Sequence, residues 1–152
     1  MILPRPKIER IVVPTDYSAC ADQALAWAVL QAHTFGAALT IVHVVERHLH
    51  LAPAGLADEP DEGDVEADRA RLEAYVADRL VGKGVEVQSM VEIGEPGRKI
   101  REIAQRLGAD LIIMGTRGRS RLEDMVFGSV VEHVMRHTGC PVLAVPPPAE
   151  ER

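Results

Sequence analysis

The chain has 152 residues, 47% of them hydrophobic and 26% charged, with a formal net charge of −6. That acidic balance argues against a general nucleic-acid or anionic-membrane binder, and no run approaches the ~18 apolar residues of a membrane span. The N-terminal MILPRPKIER lacks a signal-peptide apolar stretch, so a soluble cytoplasmic protein is expected, as a single domain over residues 1–152. One Trp, two Tyr and two Phe leave the core to Val, Ile, Leu and Ala, a bias that suits a parallel sheet buried on both faces. Cys20 and Cys140 are far apart and form no CxxC, so neither a zinc site nor a disulfide framework is suggested, and reduced thiols fit the cytosol.

In chain order, Ile11-Val-Val13 is a short apolar run stopped by Pro14 and reads as a buried strand. Ser18 is the expected N-cap of a helix whose apolar face is Ala21, Ala24, Leu25, Ala28, Val29 and Ala32, ended by Gly36 in the left-handed conformation. Ala38 to Val45 is a second strand. Residues 46–64 carry Pro53, Gly55, Pro60 and Gly63 without a clear period and are expected to be a mobile loop. Seven acids fall among residues 58–68; an acidic first helical turn suits the helix dipole, and a charge run is more often a solvated face than a metal or partner site. Leu72, Tyr75, Val76 and Leu80 line the second helix, which breaks near Gly82 and Gly84.

Val85, Val87 and Val91 mark a third strand. Pro96 opens a helix lined by Ile100, Ile103, Ala104 and Leu107 and closed by Gly108. Leu111-Ile-Ile-Met114 is the fourth strand, and a last helix runs from about Ser129 to His137 with Gly139 at C′. Val142-Leu-Ala-Val145 is the fifth strand, cut off by Pro146-Pro-Pro148. This alternation implies an α/β fold: a five-stranded parallel, doubly wound sheet with right-handed crossovers and about four helices, in the order 3-2-1-4-5.

In such sheets ligands bind beyond the carboxyl ends of strands where the order reverses. Two polar clusters fall at strand ends that would adjoin there, Pro14-Thr15-Asp16 and Gly115-Thr-Arg-Gly118. Glycines let backbone N–H groups approach an anion closely, and Gly128-Ser129 stands at a helix start, where free N–H groups and the dipole favour phosphate. The Ser129 hydroxyl either donates to a phosphate oxygen or caps its own helix. Arg117, Arg119 and Arg121 are candidates to neutralise phosphate, solvation being the ordinary fate of the last two. No Walker A lysine, GxGxxG or GxSxG accompanies these glycines. His133 and His137 share a helix face, but without the Glu of HExxH or a third ligand they do not make a zinc site, and His48 and His50 offer no better one. Trp27 is expected in a core or an interface.

Gly115, Gly118, Gly128 and Ser129 fit a Gly-x2-Gly-x9-Gly-[Ser/Thr] pattern. With IVVPTDYS, IVHVVE, GADLIIMGTRGRS and GSVVEHVMRHTGCPVLAVP, in that order, the chain resembles the ATP-binding subgroup of the universal stress protein family over nearly its whole length. The resemblance implies a Rossmann-like fold of the adenine nucleotide alpha hydrolase type that holds ATP, ADP or AMP. Adenine would lie near Pro14, Thr15, Asp16 and the backbone of Val44, and the ribose against Met114 and Gly115. Gly118, Gly128, Ser129 and Val130 would wrap the phosphates, with Arg117 close by. Mg²⁺ would bridge phosphate oxygens with few protein ligands, and Asp16 would orient the ribose or help hold the ion. Val131 departs from members with Ser or Thr there.

The resemblance further implies a homodimer paired through residues 142–145, an edge strand being a pairing template. It points to a stress-response or signalling module, with a protein partner unidentified. The alternatives are a slow ATPase, for which Arg117 is a candidate charge stabiliser but no base is evident, and a nucleotide-free interaction module of the same fold. No catalytic residue is assigned.

Overall fold

A computed structural model describes residues 2–46, 62–118 and 127–149, with the side chains of residues 62 and 63 not described. Strands β1 (Arg10–Pro14), β2 (Ala38–Val45), β3 (Val87–Ile93), β4 (Leu111–Gly115) and β5 (Val142–Val145) alternate with helices α1 (Ala19–Phe35), α2 (Glu62–Leu80), α3 (Pro96–Leu107) and α4 (Ser129–His137). All the strand pairs are parallel, in the order β3-β2-β1-β4-β5. The expected doubly wound topology is therefore present. Most of the expected 46–64 loop lies outside the described residues, and α2 has already begun at Glu62. Val85 precedes β3 and packs against the core from outside the strand.

Strand residues alternate between faces, and here both faces are covered. Ile11, Val13, Leu39, Ile41 and Ile113 point into one core layer with Ala24, Leu25 and Ala28 of α1 and Leu72 and Tyr75 of α2. Val12, Val42, Ile112 and Met114 point into the other, with Ile100 and Ile103 of α3 and Val131 and Val134 of α4. This is why β1 and β4 read as unbroken apolar runs. Each fully buried Val or Ile stabilises by roughly 2 kcal/mol. Trp27 is 43% exposed on α1, outside both layers.

Local signals set the helix ends. Ser18 Oγ accepts from Ala21 N, and Gly36 closes α1 at φ 67° with its N–H on the Ala32 carbonyl. The Glu95 carboxylate caps α3, accepting from Gly97 N at 2.9 Å and Arg98 N at 2.7 Å, and Gly108 closes that helix at φ 60°. At the end of α4 the cap is Thr138 in extended backbone; Gly139 follows it without adopting a left-handed conformation.

One polar cluster ties α1 to α2. Asp22 Oδ1 accepts from Tyr75 Oη at 2.5 Å and from Arg79 Nε at 2.8 Å, while Oδ2 accepts from Arg79 Nη2 at 3.0 Å. The Arg79 guanidinium also lies 4.0 Å from the Tyr75 ring centroid. Burial alone would raise the Asp22 carboxyl, but the hydrogen bonds from Arg79 and Tyr75 and the Arg79 charge bring it below its ordinary value. Burial, and then the bond to Asp22, push the Tyr75 phenol well above its ordinary range.

Because the folded Asp22 pKa is depressed, its stabilisation is present above the unfolded value of 3.8 and is lost as pH falls through the folded value. Asp22→Asn is expected to cost about 1 kcal/mol at pH 7, the pair being partly exposed. It should also make the acid-induced loss of stability shallower. Urea midpoints across pH 2–7 check this; an acid limb as steep as the parent's would show that Asp22 carries none of it.

Candidate functional site

Where β1 ends, the backbone turns within three residues. Thr15 N donates to the Val42 carbonyl at 2.8 Å, so Thr15 stays on the sheet and is 7% exposed. Its Oγ1 then accepts from Tyr17 N at 3.0 Å, and Asp16 Oδ1 accepts from Ser18 N at 3.0 Å. These two side-chain turns carry the chain into α1.

Tyr17 has φ 64°, the one non-glycine with positive φ among the described residues. A left-handed residue with a Cβ costs roughly 1–2 kcal/mol, and ring contacts offset that strain. The Tyr17 ring is 4.6 Å from His43 and 5.2 Å edge-on from Tyr75, with the Arg71 guanidinium 4.0 Å over its face. His43 Nδ1 lies 2.9 Å from the Thr15 carbonyl. A carbonyl only accepts, so Nδ1 carries the proton.

Beside this turn, β4 ends at Gly115. A Cβ there would lie 2.7 Å from Cys20 Sγ and 3.3 Å from the Cys20 carbonyl, so the glycine admits the start of α1 against β4. Thr116 N donates to Val145 O at 2.9 Å, and Gly128 N to Thr116 O at 2.7 Å. The latter bond brings the two ends of the glycine segment together: a Cβ on Gly128 would be 3.8 Å from Gly118 N. A Cβ on Gly118 would be 3.1 Å from Asp16 Oδ2, so the β1 and β4 clusters meet. Gly128 is the N-cap of α4 and supplies no side-chain cap. Ser129, the first residue of the helix, is exposed and does not cap it. Of the two roles open to its hydroxyl, capping is therefore not the one taken.

These elements enclose a cavity of about 600 Å³. Pro14, Thr15 and Asp16 line it from β1, Val44 from β2, and Met114, Gly115, Arg117 and Gly118 from the end of β4. Gly128, Ser129 and Val130 line it from the start of α4. Arg119, Arg121, His48 and His50 lie outside the described residues.

The cavity also takes residues that the pattern did not single out: His43, Glu46, Asp68, Arg71, Pro96 and Ile100 among them. Pro96 and Ile100 join Val44, Met114 and Val131 in an apolar wall. Val131 is 2% exposed and belongs to the α3/α4 core layer, where an aliphatic side chain is at home. The charged lining is Asp16, Glu46 and Asp68 against Arg71 and Arg117.

No group of three or more His, Cys, Asp or Glu that could hold a metal occurs among the described residues. Asp16, with one oxygen engaged by Ser18 N, suits an ion bound mainly to phosphate and water rather than a cage built by the protein. His133 and His137 stack with centroids 4.4 Å apart, and His137 Nδ1 contacts the His133 carbonyl. They pack beside α3, where a Cβ on Gly97 would meet the His133 ring at 2.8 Å.

The sequence model of the universal stress protein family matches residues 7–146. A universal stress protein of Methanocaldococcus jannaschii is 35% identical over 151 residues, covering 94% of this chain and 85% of that protein. The structure of the universal stress protein UspA from Lactobacillus plantarum superposes with a TM-score of 0.71 at 26% identity, covering 93% of this chain and 99% of the other. A universal stress protein solved in complex with cAMP gives a TM-score of 0.69 at 25% identity, covering 92% and 98%.

Gly115→Ala is expected to destabilise the chain by about 1–3 kcal/mol through overpacking against Cys20. Adding Cys20→Ala should recover part of that loss, with a coupling of about 1 kcal/mol. A double-mutant cycle by denaturant unfolding reads it, and strict additivity would refute the contact as the cause.

Proposed function

The chain belongs to the universal stress protein family, and from that premise we propose that its crevice binds an adenine nucleotide, with the protein acting as a stress-response or signalling module. The observation that carries the reading is the meeting of Gly118, Gly128 and Asp16 beyond the β1/β4 reversal, in one cavity with the uncapped start of α4. Backbone N–H groups at a helix start, with no side chain to satisfy them, are suited to phosphate oxygens. The wall of Val44, Met114, Ile100 and Val131 offers an apolar face for a base. A structural relative solved with cAMP supports the ligand class.

In this reading adenine lies against Val44 beside Pro14, Thr15 and Asp16, and the ribose against Met114 and Gly115. Gly118, Gly128, Ser129 and Val130 wrap the phosphates of ATP, ADP or AMP, which take N–H groups from Gly118 and Val130 and the Ser129 hydroxyl, with Arg117 supplying charge and the Gly128 N–H kept on the Thr116 carbonyl. Mg²⁺ would screen the phosphate charge beside Asp16. Phosphoryl transfer needs a nucleophile positioned by a base. No residue is assigned as that base, and the proposal is therefore of binding with negligible turnover. The sheet ends at β5, whose outer edge is open among the described residues and offers a second copy a pairing surface. Sedimentation should then give the dimer mass, and a monomer at micromolar concentration would remove that part of the reading.

Chain purified without added ligand and then denatured is expected to release an adenine nucleotide, identified by chromatography. Gly128→Val places a branched side chain between Thr116 and Gly118 and should weaken ATP binding at least about tenfold, the equivalent of one charge-assisted hydrogen bond. Binding of ATP by this variant as tightly as by the parent would show the phosphates to lie elsewhere.

A further inference from the structure

On the α2 side of the crevice stands a cation that the glycine pattern does not include. Among the described arginines of α2, Arg69 pairs with Glu66 and Arg79 with Asp22 and Asp78. Arg71 has no carboxylate partner among the described residues, and it is the one of the three that lines the cavity. Its guanidinium carbon lies 4.0 Å from the Tyr17 ring centroid. Such a stack limits the wandering of a long, exposed side chain and leaves the N–H donors at the guanidinium rim available to another partner.

The platform is itself constrained. Tyr17 follows Asp16 directly, is left-handed at φ 64°, and is held by His43 and Tyr75. The charge of the lining gives the cation a purpose. Asp16, Glu46 and Asp68 contribute three carboxylates, and Arg71 and Arg117 are the two guanidiniums set against them among the described lining residues. An anion entering beside Asp16 meets like charge unless a cation stands near.

We propose that Arg71 is a ligand-contacting cation of this crevice, presented by its stack on Tyr17 to an anionic group of the bound nucleotide. It thereby sets the preference for charged over uncharged ligands. This rests on the adenine-nucleotide reading above and assigns to α2 a share in recognition that β1, β4 and α4 otherwise hold. A phosphate oxygen is the matching chemistry, because the guanidinium fork donates to it in a planar, two-point fashion.

The test is calorimetric titration of AMP and of adenosine into the parent, Arg71→Met and Arg71→Lys. Met keeps an unbranched apolar stem without the charge, and circular dichroism checks that the variant folds. Arg71→Met should weaken AMP about fivefold and leave adenosine unchanged, while Arg71→Lys should restore part of the AMP affinity. An AMP-to-adenosine affinity ratio unchanged in Arg71→Met, or an equal loss for both ligands, would overturn the proposal. Gly128→Val separates the two readings: if it abolishes AMP binding while Arg71→Met keeps the parent's ratio, the nucleotide site stands and this inference falls. A parent chain that binds neither ligand removes both.

Discussion

The geometry of the site depends on β1 and β4 lying side by side at the centre of a parallel sheet. From these two strands the chain winds outward in opposite directions, so that α1 and α2 pack in one core layer and α3 and α4 in the other. Right-handed crossovers leave no other arrangement at that point. The helices diverge there, and the carboxyl ends of the central strands open into a crevice. Parallel strands also bring every β-to-α turn to the same edge, so Thr15, Gly115 and Gly128 meet despite their separation in sequence.

Close approach at that edge has a physical requirement, and small residues meet it. Gly115 lets Cys20 at the head of α1 sit against β4, and Gly118 lets the Asp16 carboxylate come up to the glycine turn. The Thr116 carbonyl takes the Gly128 N–H and joins strand end to helix start. Tyr17 is the counterexample, an aromatic residue in backbone that favours glycine. It holds there because three neighbours, from β2 and α2, contact its ring. Strain of this kind persists where the surroundings over-determine it, and Tyr17 links the crevice to the Asp22–Tyr75–Arg79 tie between α1 and α2.

Much of the fold was legible because its signals are local. Ser18, Gly36 and Gly108 act within one turn of the chain, and the apolar faces of α1 and α3 repeat at helical spacing. The bounds of α4, Ser129 to His137, were legible too; what was not legible is which residue caps a helix end. Capping was one of two roles open to the Ser129 hydroxyl, and the backbone gives the cap position to Gly128 instead. Glu95 caps α3 with a longer side chain than the usual Ser, Thr, Asp or Asn, while Gly139 offered a freedom that α4 does not use. Trp27 was expected in a core or an interface, and the core is not where it lies: it is half-exposed on α1, away from the face that buries Ala24, Leu25 and Ala28.

The sequence by itself determined the order of elements, the burial of the central strands on both faces, and the glycines that permit close backbone approach. Those properties follow from side-chain size, branching and periodicity, which act over a few residues. Only the tertiary structure decided which distant groups share the crevice with them. His43 and Glu46 reach the crevice from β2 and its carboxyl end, and Arg71 and Asp68 join them because α2 packs back across the sheet after β2. No spacing in the chain records that packing, since it is set by where Leu72 and Tyr75 find room in the core.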